Sequence, residues 1–330
     1  MASDDDARGI ELPGMTQWFV FGDRETVART VALLHDLSIR RFRTLFSWAD
    51  WTRPDGPAWL DDCMDALAGV PELDIVPALF YTPPALARPA ADGEQRTSAP
   101  PQDLSAYAAF VREMIGRYGE RFEWVQLWNE PNWQPYWDQR IDPDGSLFAL
   151  MANEAADAAR AAGKRVLLGG VTPLEYAWFT RMHELGVLDR VDGISFHYSP
   201  SWPNQHRRWF ALPTEIAGLR ALLRGLGHGD LEVWMDESGL STQPADGKSE
   251  QELEDGQIAF FDSLLRLPVE RCYWFCAIDQ HPEHETDDML NAGTPADLTA
   301  YHFGLLTQDG RAKPLVGHWR TLAGERRLAP

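Results

Sequence analysis

The chain has 330 residues, 44% of them hydrophobic, and a formal net charge of −20 at pH 7. That charge is repelled by nucleic acid and by an anionic membrane surface, so neither is an expected partner. No apolar run approaches the ~20 residues needed to cross a bilayer, and the length suits one α/β barrel of about 250 residues with long loops.

Residues 1–15 read as an acidic N-terminal extension without a basic segment followed by an apolar core, so no secretory leader is visible. Residues 16–325 carry the repeating pattern of the folded domain. A first strand is predicted over 17–21 and a helix over 25–37, where Val27, Val31 and Leu34 fall at helical spacing. Strand two covers 39–46, helix two 58–68, and 73–80 is a continuous apolar strand of the kind buried on both faces. A Pro-rich loop over 82–102 leads to a helix over 104–118. Strands over 122–128, 165–171, 192–198, 231–236 and 271–277 follow, with helices over 147–162, 177–185, 213–226, 251–267 and 314–322 between and after them.

Eight β-then-α units without a breaking linker predict a closed (β/α)8 TIM barrel in a single domain. The doubly wound alternative ordinarily shows a Gly-rich turn after an early strand, and none stands here. Loops after the strands are long and rich in Trp, Pro and Asp, whereas those after the helices, such as 162–164, are short. That asymmetry marks the strand C-terminal face as the working face.

Cys272 and Cys276 lie four apart on one predicted strand, too far to bond to each other. An intrachain disulfide would therefore need Cys63, and a reduced, cytoplasmic protein is the simpler expectation. The 14 tryptophans include Trp48, Trp51, Trp128, Trp133, Trp137, Trp202 and Trp209 in segments that also carry polar and turn residues. Flat aromatic faces suit ligands with apolar C–H faces and hydroxyl edges, which points to sugars.

Strand four ends in Trp128-Asn129-Glu130-Pro131-Asn132 and strand seven in Val233-Trp234-Met235-Asp236-Glu237-Ser238. Both glutamates thus fall at the mouth of one barrel, as a retaining glycosidic hydrolysis with two carboxyl groups ~5–5.5 Å apart requires. A Glu after a strand is ordinarily a solvated loop residue. Here Pro131 keeps Glu130 out of helical geometry, and Trp128 and Trp133 make its setting poorly solvated. Asp236 rivals Glu237, because side-chain alternation sends the two to opposite faces and only one would enter the mouth.

Together these motifs resemble glycoside hydrolase clan A, whose members share a (β/α)8 barrel and a retaining mechanism. The resemblance implies Glu130 as acid/base and Glu237 as nucleophile of an enzyme that hydrolyses β-glycosides in an oligo- or polysaccharide, with no cofactor and no metal. It implies Arg43 on strand two as a brace for Glu237, Asn129 as partner of a sugar 2-hydroxyl, His197 as a strand-six site residue and Trp274 as a sugar platform. Trp48, Trp133 and Tyr198 complete the expected substrate-binding set. Tyr81-Thr82-Pro83-Pro84 and the Trp-rich loop after strand four look most like family 39 and its bacterial exopolysaccharide-hydrolase relatives. Ser199 stands where that family often has a Tyr, Ala85 stands where a Trp is expected, and the chain stops near the end of the barrel.

Two other functions were open to the same residues: a non-catalytic carbohydrate-binding barrel, and a glycosidase of another clan A family such as family 5. A third reading uses His281-Pro282-Glu283-His284-Glu285 as ligands for a divalent ion. The run lacks the helical His-Glu-x-x-His spacing of a zinc site, and an acidic solvated loop accounts for it.

Overall fold

The computed structural model describes residues 12–201, 211–244, 247–280 and 301–328. Eight parallel strands close into a barrel in sequence order: β1 (Gly14–Thr16), β2 (Arg41–Ser47), β3 (Asp74–Phe80), β4 (Trp124–Leu127), β5 (Arg165–Val171), β6 (Gly193–Tyr198), β7 (Glu232–Ser238) and β8 (Arg271–Phe275). The helices around it are α1 (Arg24–Asp36), α2 (Gly56–Leu67), α3 (Ser105–Tyr118), α4 (Ser146–Ala161), α5 (Tyr176–Glu184), α6 (Leu212–Gly225), α7 (Glu250–Leu264) and α8 (Pro314–Leu328). Each turns an apolar stripe toward the sheet, as Val27, Leu33 and Leu34 do from α1. Asp23 caps α1 by accepting from Thr26 N at 3.0 Å, and Ser249 with Glu252 forms a capping box on α7. Cys63, Cys272 and Cys276 are free thiols. Among the described residues no helix is long and apolar enough to cross a membrane.

The first strand lies three residues before its predicted place, so the barrel begins inside the segment read as an extension. Closure explains the shift. Gly14 pairs with Tyr273 of β8, and a Cβ on Gly14 would lie 2.5 Å from the Tyr273 ring, so a glycine is needed where the two ends of the sheet meet. The apolar residues Trp18, Phe19 and Phe21, which imitate a strand, instead rise over the mouth of the barrel.

Inside the barrel, alternation stacks side chains in tiers. The lowest is apolar: Val76, Trp124, Leu167, Trp234 and Tyr273 form one cluster, with the Trp124 and Trp234 rings 4.6 Å apart. Arg165 lies 3.8 Å from the Trp124 ring centroid and Arg271 lies 4.4 Å from that of Trp234. Above this plug sit Arg43, Gln126, Ser195 and Asp236, all fully buried, and above them the mouth.

Two strand irregularities make this polar tier possible. In β5 the register against β6 slips between Leu168 and Val171, at Gly169-Gly170. A Cβ on Gly169 would meet Gln126 Nε2 at 2.3 Å, and one on Gly170 would meet His197 Nε2 at 2.6 Å. The glycine pair is the space that those two polar side chains fill. In β7 the register advances from Phe196–Met235 to His197–Glu237, which leaves Asp236 as an extra residue, a β-bulge.

Gly170 has φ +67°, and Gly163 after α4 has φ +74° with open space at its Cβ position. Gly163→Ala is expected to cost about 1–2 kcal/mol for the left-handed backbone alone. Gly170→Ala should cost that plus roughly 1–3 kcal/mol of overpacking against His197. Urea unfolding of the two variants reads the difference, and equal costs would mean that His197 moves aside freely.

Candidate active site

The segment after β4 is held in an uncommon backbone shape. Trp128 and Glu130 have φ of +68° and +44°, left-handed values that cost non-glycine residues about 1–3 kcal/mol each. Its anchors are buried. Trp128 N donates to Leu79 O at 3.0 Å and its indole Nε1 donates to Tyr136 O at 2.8 Å. The ring packs edge-on to Tyr107 and Trp137. Asn132 ties the far end of the loop to β5, accepting from Thr172 N at 2.9 Å and donating to Thr172 O at 3.1 Å. Between these anchors the chain turns Asn129 and Glu130 into the barrel.

Arg43 is the centre of the network below the mouth. Its Nη1 donates to Glu237 Oε1 at 2.6 Å, Nη2 to Asn129 Oδ1 at 2.7 Å, and Nε to Gln126 Oε1 at 2.6 Å. Nε also lies 3.0 Å from Asp236 Oδ2, and the guanidinium carbon sits 4.7 Å from the Trp18 ring centroid. His197 takes the opposite wall. Its Nδ1 lies 2.7 Å from Glu130 Oε1 and 3.7 Å from Glu237 Oε2, and its Nε2 lies 3.3 Å from Asp236 Oδ1. One atom each from Glu130, His197 and Glu237 fall within 4.8 Å of one another. A divalent ion could fit such a trio. However, Arg43 occupies Glu237 Oε1 and both imidazole nitrogens face carboxylates, so cationic side chains already supply the charge.

The site sorts its protons by environment. Burial is the main force that pushes Glu130 up to about 7, helped by the Glu237 charge and opposed by His197 and Arg43. Glu130 Oε2 is buried without a hydrogen-bond partner among the described residues, which suits an oxygen that carries a proton. Burial pulls the His197 imidazole down, but the charges of Glu237 and Asp236 outweigh it and push the group up to about 10. Burial likewise opposes ionisation of Asp236, and Arg43 followed by His197 overcomes it, leaving the carboxyl below its ordinary range. Tyr136 is raised well above the usual phenol range by burial, then by Tyr81 and the two glutamates.

Above the network opens a cavity of about 1030 Å³. Glu130, Glu237, His197, Tyr198 and Trp133 line it, together with Trp18, Tyr81, Tyr136, Phe275 and Asp279, which sequence reasoning did not single out as site residues. Arg43 and Asn129 are buried and reach the site through the hydrogen bonds above. Several expectations are corrected. Trp48 stacks on Phe110 of α3 at 5.7 Å, in the layer between sheet and helices, and does not line the cavity. Trp274 faces Phe260 and Phe261 of α7, and its neighbour Phe275 takes the cavity-facing place intended for it. The causes differ: Trp48 opens a short helical turn (Trp48–Trp51) just past the end of β2, whereas for Trp274 a one-residue step along β8 reverses the face. His197, expected as a strand-six site residue, does line the cavity, with both of its nitrogens facing carboxylates. Asp236 and Glu237 were expected on opposite faces, and the β7 bulge turns both inward. Residues 281–285, Trp202 and Trp209 lie outside the described residues.

Gln126 was missed, although it left a trace: a lone polar residue within an apolar strand buried on both faces must find a partner.

No protein-family profile matches the sequence, and no curated protein matches it. Solved structures do. A family 39 glycoside hydrolase from the gut symbiont Bacteroides cellulosilyticus WH2 matches 95% of this chain and 64% of its own length, with TM-score 0.66 and 17% identity. A family 39 β-xylosidase from Caulobacter crescentus matches 94% of this chain and 70% of its own, with TM-score 0.67 and 19% identity. A family 1 β-glucosidase from Thermotoga maritima covers 92% and 86% of the two chains, with TM-score 0.60 and 11% identity. The chain thus spans about two thirds of the length of the two family 39 enzymes. What it shares with all three is the barrel fold.

Proposed function

We propose that the chain is a retaining β-glycoside hydrolase, acting on an oligo- or polysaccharide with Glu130 as acid/base and Glu237 as nucleophile. The observation that carries the reading is the convergence of two carboxyl groups, Glu130 raised by burial and Glu237 bonded to Arg43, with one oxygen of each within 4.8 Å of the other, at the floor of one aromatic cavity. Inverting enzymes hold the pair at ~6.5–9.5 Å to admit a water, and retaining enzymes at ~5–5.5 Å. The fold shared with family 39 and family 1 enzymes supports the same reading.

In the first step a Glu237 oxygen attacks the anomeric carbon. Arg43 holds Oε1 at 2.6 Å, so Oε2 is the oxygen left for attack. As the bond to the leaving oxygen breaks, Glu130 transfers its proton to that oxygen, and the glycone remains as an ester of Glu237. In the second step Glu130, now a carboxylate, takes a proton from water as the water oxygen attacks the anomeric carbon, and the ester bond to Glu237 breaks. Trp18, Trp133, Tyr136 and Phe275 offer the flat faces on which sugar rings would rest.

The decisive experiment is a screen of aryl β-glycosides and oligosaccharides with the product anomer followed by NMR. Retention of configuration is expected, and clean inversion would sink the mechanism. Glu237→Gln should reduce turnover to background. Glu130→Ala should lose about 10²–10⁴-fold on substrates with poor leaving groups, with partial rescue by azide or by activated aryl substrates. Because Glu130 must enter the cycle protonated and its pKa is about 7, kcat/KM should fall as pH rises through about 7. A profile flat to pH 9 would remove Glu130 from the acid role.

A further inference from the structure

Asp236 has no part in the two chemical steps above, yet it faces both cations of the site. Its Oδ2 lies 3.0 Å from Arg43 Nε and accepts from Gln126 Nε2 at 2.5 Å; its Oδ1 lies 3.3 Å from His197 Nε2. Arg43 and His197 in turn reach Glu237 and Glu130 at 2.6 and 2.7 Å. Two relays therefore leave a single carboxylate, one through a guanidinium to Glu237 and one through an imidazole to Glu130.

We propose that Asp236 is a positioning residue: a buried counter-charge that fixes the Arg43 guanidinium and the His197 imidazole so that each presents its outer face to one glutamate. The proposal rests on the assignment of those glutamates as nucleophile and acid/base. The β7 bulge is what allows it, since without the extra residue Asp236 and Glu237 would face opposite sides of the strand. Charge supports it too. With Glu130 protonated, the tier holds two cations, Arg43 and His197, and Asp236 with Glu237 balances them. Removing Asp236 leaves Glu237 alone against both, so the nucleophile would be bound more tightly and the imidazole would release its proton more readily. Among the described residues, the charged groups that face His197 are Glu130 from the end of β4, Asp236 and Glu237 from β7, and Arg43 from β2 on the far side of Asp236. From β5 it meets Gly170, which brings no side chain.

Histidine titration by ¹⁵N NMR tests this without reference to turnover, with the His197 resonance assigned by its loss in His197→Asn. In the wild-type protein His197 should stay doubly protonated up to about pH 10, and in Asp236→Asn its midpoint should fall by about 1–3 pH units. The kcat/KM of the variant should drop more than tenfold while the circular dichroism is kept. Thr44→Val deletes a buried neutral hydroxyl on the residue next to Arg43, bonded to Gln17 O at 2.9 Å and turned away from Asp236, and should leave the midpoint in place. A wild-type midpoint near 6.5 overturns the proposal whether or not Asp236→Asn folds. An unchanged midpoint in a folded Asp236→Asn also overturns it, as does an equal shift in Thr44→Val, which would assign the effect to general loosening. Failure of the two-glutamate reading would appear elsewhere, as full activity in Glu237→Gln, so the two failures are separable.

Discussion

One buried guanidinium holds the site together. Arg43 stands inside the barrel with no solvent contact and spends its three nitrogens on Glu237, Asn129, Gln126 and Asp236. Desolvating a charge on this scale is unfavourable unless its partners are well aligned, and those partners come from the far wall of the barrel, on β4 and β7. The position of Glu237 relative to the loop that carries Glu130 is therefore set by a planar fork of fixed geometry. A lysine at this place would offer a point charge and no fork.

The rest of the barrel makes that arrangement tolerable. Trp124, Trp234 and Tyr273 close the floor beneath the polar tier, so water does not reach it from below and the hydrogen bonds act in a low dielectric. Gly169 and Gly170 leave the volume that Gln126 and His197 occupy. The strained turn at Trp128 and Glu130 is stabilised by burial of the Trp128 indole against Tyr107 and Trp137. The β7 bulge, the β5 glycine pair and the left-handed turn after β4 each lie next to a side chain of the site, and the regular helices around them serve as the frame.

Among the described residues most tryptophans serve the core: Trp48, Trp59, Trp124, Trp128, Trp137, Trp234, Trp274 and Trp319 are buried and brace strands, helices and loops, whereas Trp18 and Trp133 line the cavity. The composition that first suggested a sugar-facing surface thus reflects mostly internal bracing among the described residues. At the cavity itself, tyrosines and phenylalanines share the aromatic role: Tyr81 and Tyr136 stack with ring centroids 6.0 Å apart, opposite Phe275.

Alternating apolar strands and amphipathic helices were enough to read the closed barrel, because strands buried on both faces need helices outside them and the Gly-rich turn of the doubly wound alternative is missing. The positions of Glu130 and Glu237 at the mouth were equally legible, since local motifs place residues at strand ends, whereas Arg43 inside β2 was suggested only by the family resemblance. What the tertiary structure decided is which way side chains face when a strand departs from strict alternation. The bulge at Asp236 turned an excluded carboxylate inward, Phe275 displaced Trp274 from the cavity, and His197 was drawn between two carboxyl groups. Such choices depend on the register of neighbouring strands and on the space glycines leave across the barrel. Those are relations between segments far apart in the chain, and no local pattern of residues encodes them.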